Sequence, residues 1–436
     1  MIEDRPVEAS LDQSRDAVAL QALLDTTEMT ISKADREVLR RLAGEVADLA
    51  ARPIEDKKRE LWCRHNALGP TRPLIFCDPE YGWNEIITAD QIACQGTLAR
   101  QWEMHLRKER FWGMEMGDDY TIEPYFEIPY VHADIDWGLR ETRIGGEDGG
   151  AFRWESPVTS EADLENLHLP EIRVDYGATH RLAELAEEIF GDLLTVRIKT
   201  LWWWSLGMTR TLVELRGLQQ IMFDMIDNPD LVHRLMTILR DGTLSMLDFL
   251  EEGGLLGRND DGTYVGSGGL GWSEELPQPD FDGKVRCCDM WGFSESQETV
   301  GISPEMFAEF VFPYQLPILE RFGLNCYGCC EPLDKRWHVV EQIPNLRRVS
   351  VSYWASWAEM AEMLGDGYIL SLKPSPTDLA MDTFDEQLIR TKLREALQIT
   401  RECRVEVIMK DNHTIRNDPP RVVRWVQIAR EEAENL

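Results

Sequence analysis

Short apolar runs alternate with longer amphipathic segments along the carboxy-terminal third of the chain. The apolar runs predict strands at GLNCYG, RRVSVS, YILSLK and RVEVIMK, and the amphipathic segments predict helices over 333–342, 356–364, 384–401 and from about 418. A further helix is predicted from Ser303 towards Arg321, because a serine N-cap followed by proline favours a helix start. Strands and helices that alternate with short connections predict a parallel sheet covered by helices.

The earlier part of the chain adds helices and at least two strands. Residues 14–52 show helical spacing of apolar positions, and 70–80 form a short apolar run bounded by prolines, the first predicted strand. LLTVRIKTLWWW predicts a buried strand that runs into a loop, followed by helices near 209–226 and 229–252. A doubly wound sheet and a barrel both satisfy this pattern. The lack of an obvious second domain favours an α/β fold, a (β/α)8 TIM-type barrel over 70–436 with an N-terminal helical extension over 1–69.

Charge and hydropathy narrow the class of protein. The net charge is −32, which disfavours nucleic-acid and membrane-surface partners. A large carboxylate-rich substrate is disfavoured too, unless a local basic pocket overrides the overall sign. The mean hydropathy is −0.34 and the polar, acidic amino terminus does not resemble a secretion signal, so we expect a cytoplasmic protein without a membrane span.

Cysteine and tryptophan usage points to a site rather than to disulfides. Nine cysteines are an odd number, and in a long chain expected to be cytoplasmic a thiol cluster favours metal binding or catalysis. Fifteen tryptophans are above average usage, so some are expected to line a pocket for a flat or apolar ligand. Trp202 and Trp203 follow an apolar strand, where core packing and a stacking wall are both open interpretations.

A glycine motif at 266–271 matches GxGxxG, with Asp289 at a spacing close to that of a dinucleotide-binding fingerprint. The fingerprint also needs a helix directly after the glycines, and the prolines of WSEELPQP prevent one. A flexible glycine loop over a barrel mouth is therefore the preferred interpretation.

The strongest chemical signal is the cysteine cluster after the strand GLNCYG. Cys326, Cys329 and Cys330 lie within five residues and Glu331 follows them, while His413 follows the last predicted strand. Free cysteines are also common as small buried apolar residues. A thiolate, a carboxylate and an imidazole with an open fourth position are typical of a catalytic zinc site.

The chain resembles the uroporphyrinogen decarboxylase-like superfamily from about residue 72 to the end. The resemblance is strongest in ISPEMFAEFVFPYQLPILERFG, NLRRVSVS and LGDGYILSLKPSP. It implies a (β/α)8 barrel and, on the branch of zinc- and corrinoid-dependent methyltransferases, a zinc site. Those methyltransferases carry a His-x-Cys motif and a late Cys, which fall here on Tyr327, Cys329 and His413. The predicted ligands are Cys329, Glu331 and His413, with Cys330 and Cys326 as alternates.

The decarboxylase branch of the superfamily fits less well. Arg72-Pro73-Leu74 resembles the start of its amino-terminal signature, but CDPEYGW replaces the arginine-containing stretch that would hold porphyrin carboxylates. Glu127, in YFEIPY, matches the position of the family's active-site Asp and is the predicted catalytic acid. A solvated loop acid is the alternative interpretation of Glu127.

These observations favour a zinc-dependent methyltransferase that moves a methyl group from a small methoxylated aromatic substrate to a corrinoid (cobalamin-carrying) partner protein. A zinc ion held by a thiolate, a carboxylate and an imidazole is expected to bind a substrate oxygen better than a substrate thiol. Substrate-binding residues are expected around the barrel mouth, namely Trp202, Trp203, Tyr264 and Trp291. A metal-independent decarboxylase and a non-catalytic ligand-binding barrel are the alternatives, and homodimerisation is left open.

Overall fold

The computed structural model describes residues 29–133, 135–145 and 152–436, so the predicted helical segment over 14–28 lies outside the described residues. Two helices precede the first strand, α1 (Lys33–Ala50) and α2 (Pro53–Asn66). Helix α1 begins after Ser32, whose side chain accepts a hydrogen bond from the backbone N–H of Asp35 at 3.1 Å. Its apolar face packs on the helix over Thr97–Phe111.

The remaining helices follow the strands along the chain. They are α3 (Trp83–Ile86), α4 (Thr97–Phe111), α5 (Tyr176–Phe190), α6 (Thr209–Arg216), α7 (Leu218–Asp227), α8 (Pro229–Gly253), α9 (Pro304–Phe310), α10 (Phe312–Leu319), α11 (Trp337–Val340), α12 (Trp357–Leu364), α13 (Thr377–Ala380), α14 (Glu386–Ile399) and α15 (Pro420–Glu434). Short 3₁₀ turns cover Glu80–Gly82, Glu161–Asn166, Cys287–Asp289 and Gln297–Thr299, and a π-turn covers Trp112–Met116.

The described strands fall into one large parallel sheet and three pairs. They are β1 (Leu74–Cys77), β2 (Tyr125–Ile128), β3 (Thr142–Gly145), β4 (Phe152–Glu155), β5 (Thr195–Ile198), β6 (Tyr264–Val265), β7 (Gly269–Leu270), β8 (Trp291–Ser294), β9 (Leu324–Tyr327), β10 (Leu346–Val351), β11 (Ile369–Leu372) and β12 (Arg404–Met409). The large sheet has the order β1-β12-β11-β10-β9-β8 with parallel neighbours, and β2 pairs in parallel with β5. The predicted parallel α/β architecture is thus confirmed.

Closure of this sheet into a barrel is not shown. Within the described ranges, no strand ladder joins β8 to β5 or β2 to β1. At the free edge of β1, Asp119 satisfies the backbone hydrogen-bonding groups of Ile75. The backbone N–H of Asp119 donates to the carbonyl of Ile75, and its Oδ2 accepts from the Ile75 N–H, both at 2.8 Å. At the other edge, the backbone N–H of Leu206 donates to the carbonyl of Phe293 at 2.9 Å.

Two predicted helices differ from the structure. The helix predicted from Ser303 is interrupted at Val311, which separates α9 from α10, because Pro313 has no N–H to continue the ladder. The helix predicted over 333–342 is limited to α11.

None of the helices in the described part of the chain combines the length and the apolar character that a membrane span needs.

Glu109 on α4 makes folding stability sensitive to alkaline pH. The hydroxyl of Tyr120 donates to its Oε1 at 2.9 Å, and burial raises the pKa of Glu109 to about 8. A carboxyl group whose folded-state pKa exceeds its unfolded value contributes stability at low pH and loses it as pH rises through the folded pKa. We expect Glu109→Gln to reduce the loss of unfolding free energy between pH 6 and 9, as measured by urea denaturation. The exposed control Glu115→Gln should behave like wild type, and an unchanged pH dependence in Glu109→Gln would contradict this assignment.

Candidate functional site

Buried ionisable side chains gather where the strands of the large sheet end. The carboxyl ends of parallel strands lie along one edge of a sheet, which is where such folds place their chemistry. The buried residues that follow these strands are Asp78 after β1, Glu295 after β8, Cys329 and Glu331 after β9, Lys373 after β11, and Lys410 after β12. Glu80, also after β1, is partly buried.

Glu295 and Glu331 form a pair of buried carboxyl groups at the ends of neighbouring strands. Glu295 is 1% exposed; its Oε1 accepts a hydrogen bond from the Ser205 hydroxyl at 3.2 Å, and its Oε2 accepts from the backbone N–H of Gln297 at 2.8 Å. The Oε1 of Glu331 accepts from the backbone N–H of Ser296 at 2.7 Å, and its Oε2 from that of Cys329 at 2.9 Å. Glu331 is therefore held in place by two backbone donors, while Glu295 has fewer.

The pKa values of the two acids respond differently to this environment. Burial, and then the negative charges of Glu298 and Glu331, raise the pKa of Glu295 well above its usual value. Burial also raises the pKa of Glu331, but the N–H groups of Cys329 and Ser296 and the charge of Arg336 oppose the shift. Two adjacent carboxyl groups in unlike environments are typical of acid–base sites. Glu295, with fewer groups that oppose the upward shift of its pKa, is the better candidate for a proton donor.

Sequence analysis did not single out Glu295. The available signal was its position directly after the apolar segment WGFS, which is β8. Glu127 was predicted as the catalytic acid because it matches the position of the active-site Asp in the family that the chain resembles. That position lies on β2, not at a strand end of the large sheet.

The predicted thiol ligands are only partly brought together. Cys329 is buried, with its Sγ 3.7 Å from the Sγ of Cys330 and 3.9 Å from Nζ of Lys410. The contact with Cys330 and burial raise the pKa of the Cys329 thiol well above its usual value. Cys330 is exposed, and its Sγ lies 3.9 Å from Oδ2 of Asp411. Cys326 lies apart from this pair, in a small apolar cluster with Trp291 and other side chains.

His413 and Glu331 do not join the thiols as predicted. The ring of His413 is exposed and stacks on Tyr81, with ring centroids 5.1 Å apart. Strand β12 ends at Met409, and the positive φ of 61° at Asp411 turns the chain, so His413 does not continue the strand direction that the prediction assumed. Both Glu331 oxygens accept backbone hydrogen bonds instead.

These donors do not fit a zinc ion. No group of three or more His, Cys, Asp or Glu side chains in the described part of the chain is arranged to hold a metal. A catalytic zinc site needs three protein ligands around one point.

Glu127 lies in a second region, a small pocket with a cavity volume of about 30 Å³ that is partly open to solvent. Glu127 on β2 faces Arg197 on β5, and its Oε1 accepts a hydrogen bond from the Arg197 Nε at 2.7 Å. Lys199 lies 3.6 Å from the same oxygen. Glu127 is thus an ion-pair partner at the pocket wall, which makes it a poor candidate for a proton donor.

The four predicted aromatic binding residues separate into two groups. Trp202 and Trp203 line the pocket with Glu127. Trp291 is 1% exposed, its Nε1 donates to the carbonyl of Gly271 at 2.9 Å, and the Arg348 guanidinium lies over its ring at 4.9 Å. Tyr264 packs against Phe76, with ring centroids 5.6 Å apart. Trp202 and Trp203 share a pocket, whereas Trp291 is a core residue of the large sheet.

The loop after β5 connects this pocket to Glu295. Residues 199–203 line the pocket, and Ser205, two residues later, donates to Glu295. Gly207 is required at its position, because a Cβ there would lie 2.2 Å from the carbonyl oxygen of Glu295. The same segment therefore presents indole rings on one side and contacts the buried acid on the other.

The glycine motif at 266–271 covers the turn of the β6–β7 hairpin, at 266–268, and strand β7, and it lacks the helix that a dinucleotide fingerprint needs. Gly266 and Gly268 have φ values of 68° and 139°, which other residues rarely adopt. A Cβ at Gly269 would lie 2.5 Å from the Arg348 guanidinium carbon, so the hairpin packs closely on the sheet interior.

Comparison with known proteins adds little to this picture. No model of a known protein family matches the chain. No curated protein matches it either. Among solved structures, a methyltransferase from Methanosarcina mazei is similar over 86% of this chain and 97% of that chain, with 13% sequence identity and a TM-score of 0.44. A similarity of this extent establishes neither a shared fold nor a shared activity.

Proposed function

We propose that this protein is a methyltransferase that removes the methyl group from the oxygen of a small methoxylated aromatic compound. The observation that carries the proposal is Glu295, a buried acid with a raised pKa that accepts a hydrogen bond from Ser205, two residues after Trp203 in the pocket wall. Indole rings suit a flat aromatic ligand, and a protonated carboxyl group suits a leaving oxygen that needs a proton. The resemblance of the sequence to corrinoid-dependent methyltransferases supports the same class of reaction.

The strand arrangement supports a (β/α)8 barrel as the scaffold. Eight strands run parallel to a neighbour, and the first and last of them, β1 and β12, are paired as a barrel requires. In such a barrel the catalytic groups come from the ends of several strands. Glu295, Glu331 and Lys410 have this position.

The proposed reaction is a displacement at the methyl carbon. The methyl acceptor, which the resemblance implies is a corrinoid partner protein, would supply the nucleophile that takes the methyl group as the carbon–oxygen bond breaks. The electron pair of the broken bond goes to the oxygen, and Glu295 donates its proton there, so that the product is a phenol. Glu295 then regains a proton from solvent. Glu331 acts as a positioning residue, since its charge helps to keep Glu295 protonated.

The binding groups in this proposal are the pocket residues. Trp202 and Trp203 would contact the aromatic ring once the small pocket widens to admit it, and the ion pair of Glu127 with Arg197 forms part of the pocket wall. Trp202 is itself fixed, because its Nε1 donates to the carbonyl of Leu255 at 3.0 Å. A rigid wall of this kind reduces the entropy that binding costs.

The pH dependence of the rate tests this proposal. Because the protonated form of Glu295 is the active one, the rate of methyl transfer from a methoxybenzene donor to free reduced cobalamin should fall as pH rises through the raised pKa of Glu295. The measurement is the initial rate between pH 5 and 10, corrected for the reaction without protein. A rate that rises steadily over this range would contradict the proposed role of an acid.

A further inference from the structure

Cys329 and Cys330 are two adjacent thiols that the proposed reaction does not use. Their Sγ atoms lie 3.7 Å apart, whereas a disulfide bond needs about 2.05 Å. Cys329 is 4% exposed, and Cys330 is exposed to solvent. One thiol is therefore open to a small reagent in solution, and the second lies beside it, shielded from that reagent.

Contacts with neighbouring strands hold the backbone at Cys329. The backbone N–H of Gly328 donates to the carbonyl of Ser294 at 2.9 Å, and the Ser350 hydroxyl donates to the carbonyl of Cys329 at 3.2 Å. Because both contacts limit the movement of Cys329, the exposed side chain of Cys330 is the one that must move to bring the two sulfur atoms together. The gap is therefore closed at the solvent-exposed end of the pair.

Two charged side chains face the sulfur atoms. The Nζ of Lys410 lies 3.9 Å from the Sγ of Cys329, and Oδ2 of Asp411 lies 3.9 Å from the Sγ of Cys330. Lys410 also faces carboxylate oxygens of Asp411 and Glu80, at 3.5 and 3.9 Å from its Nζ. Its charge opposes the rise in the pKa of Cys329 that contact with Cys330 and burial cause. Since an ammonium group favours the thiolate that attacks another sulfur atom, Lys410 assists Cys329 in attacking an oxidised Cys330.

We propose that Cys329 and Cys330 form an oxidation site, which a peroxide converts into a reversible disulfide bond. In the first step the Cys330 sulfur attacks one oxygen of hydrogen peroxide and the O–O bond breaks. The departing oxygen leaves as water with the thiol proton, so that a sulfenic acid forms. In the second step the Cys329 sulfur attacks the Cys330 sulfur, the S–O bond breaks, and the hydroxyl group leaves as water with the Cys329 proton. The two thiols lose two electrons, and the peroxide gains them.

A disulfide between adjacent residues is strained and therefore easily reduced. The peptide bond between Cys329 and Cys330 is trans, and a trans peptide places neighbouring Cα atoms about 3.8 Å apart. Most disulfides join Cα atoms about 4.4–6.8 Å apart, and departures from this geometry make the bond more reducible. Strained and exposed disulfides are the labile ones, so the proposed bond is a switch and not a permanent cross-link.

Oxidation at this site would act on the buried acid pair through Glu331. The backbone N–H of Cys329 donates to Oε2 of Glu331 at 2.9 Å. Drawing the Cys330 sulfur towards Cys329 twists the peptide between them, next to this hydrogen bond. The oxidised protein should therefore hold Glu331 less firmly, and the amide of Cys329 should exchange its hydrogen faster.

Oxidation of the intact, reduced protein with one equivalent of hydrogen peroxide tests the inference without any methyl donor. Wild type should lose two of its nine thiols and the mass of two hydrogen atoms, and dithiothreitol should restore both. Peptide mapping should place the disulfide at Cys329 and Cys330, and hydrogen exchange should become faster in the peptide that contains them. Because these readouts need no methyl transfer, their outcome is separate from that of the proposed function.

Two variants make the test specific. Under the same treatment Cys330→Ser should keep all of its remaining thiols, and Cys329→Ser should stop at the sulfenic acid on Cys330, which dimedone traps. Cys288→Ser is the matched control, since Cys288 follows another buried cysteine, Cys287, and this variant should form the disulfide like wild type. A wild-type protein that keeps its thiols or stops at the sulfenic acid would overturn the site, as would the loss of two thiols in Cys330→Ser.

Discussion

Glu295→Gln should lower the rate of methyl transfer by roughly 10²–10⁴-fold, the usual contribution of a general acid. Glutamine has nearly the same shape: its amide oxygen can accept from the Gln297 N–H, and its amide NH2 can donate to the Ser205 hydroxyl. It has no carboxylic proton to transfer to the leaving oxygen. The measurement is the single-turnover rate of wild type and variant with a series of methoxyarenes, and the loss should be greatest for those whose phenols are the weakest acids.

Glu309→Gln is the matched control for this variant. Glu309 is an exposed side chain on α9, outside the cluster at the strand ends, so its substitution should leave the rate unchanged. The thermal midpoint of Glu295→Gln should be equal to or higher than that of wild type at alkaline pH, because removing a carboxyl group with a raised pKa removes its cost of ionisation. A folded Glu295→Gln protein with the wild-type rate would exclude Glu295 as the acid.

Glu406→Gln should destabilise the protein by about 3–5 kcal/mol, the usual effect of breaking a buried ion pair by removing one partner. Glu406 Oε1 lies 3.1 Å from the Arg348 Nε, and both side chains are fully buried. The Ser371 hydroxyl donates to the same oxygen at 2.5 Å. A neutral amide would leave the Arg348 charge without its counter-charge inside the sheet. Urea denaturation at pH 7 measures the loss.

The pH dependence of this pair provides a second measurement. Burial alone would raise the pKa of Glu406, but Arg348 and His65 hold it at about 2. A carboxyl group with a lowered pKa contributes stability above its unfolded value of about 4.3, and that contribution is lost as pH falls through the folded pKa. Wild type should therefore lose more stability than Glu406→Gln between pH 5 and 2. Glu402→Gln, at an exposed position, should follow wild type, and equal acid sensitivity of Glu406→Gln would contradict the ion pair.

Hydrophobic spacing predicted five of the six strands of the large sheet, all but β8, because those strands are buried on both faces. β9, β11 and β12 lie within the predicted apolar runs, and β10 begins one residue before its run. Parallel strands covered by helices appear in sequence as continuous apolar runs, which are easily recognised. The sequence carried no signal for the two breaks in the sheet, since these depend on contacts between residues distant in the chain, such as Asp119 with Ile75.

The sequence predicted where the candidate site lies better than it predicted which residues form it. Cys329 and Glu331 do lie at a strand end, but His413 follows a turn at Asp411 that spacing alone does not reveal. Trp291 was predicted to bind substrate at the barrel mouth, yet it lies on β8 within the buried sheet, where the Arg348 guanidinium packs over its ring. Glu295 was missed because one acid after an apolar run is a weak signal in a chain with many carboxylates.

The fate of a labelled methyl group tests the central claim of methyl transfer most directly. The protein is mixed with reduced cobalamin and 4-methoxybenzoate carrying a ¹³C-labelled methoxy group and a ¹⁴C-labelled carboxyl group, and the products are separated. We predict that the ¹³C label is recovered on cobalamin with one equivalent of 4-hydroxybenzoate, and that this transfer is lost in Glu295→Gln. Release of ¹⁴CO₂ with the methoxy group intact would contradict the account and indicate the decarboxylase alternative instead.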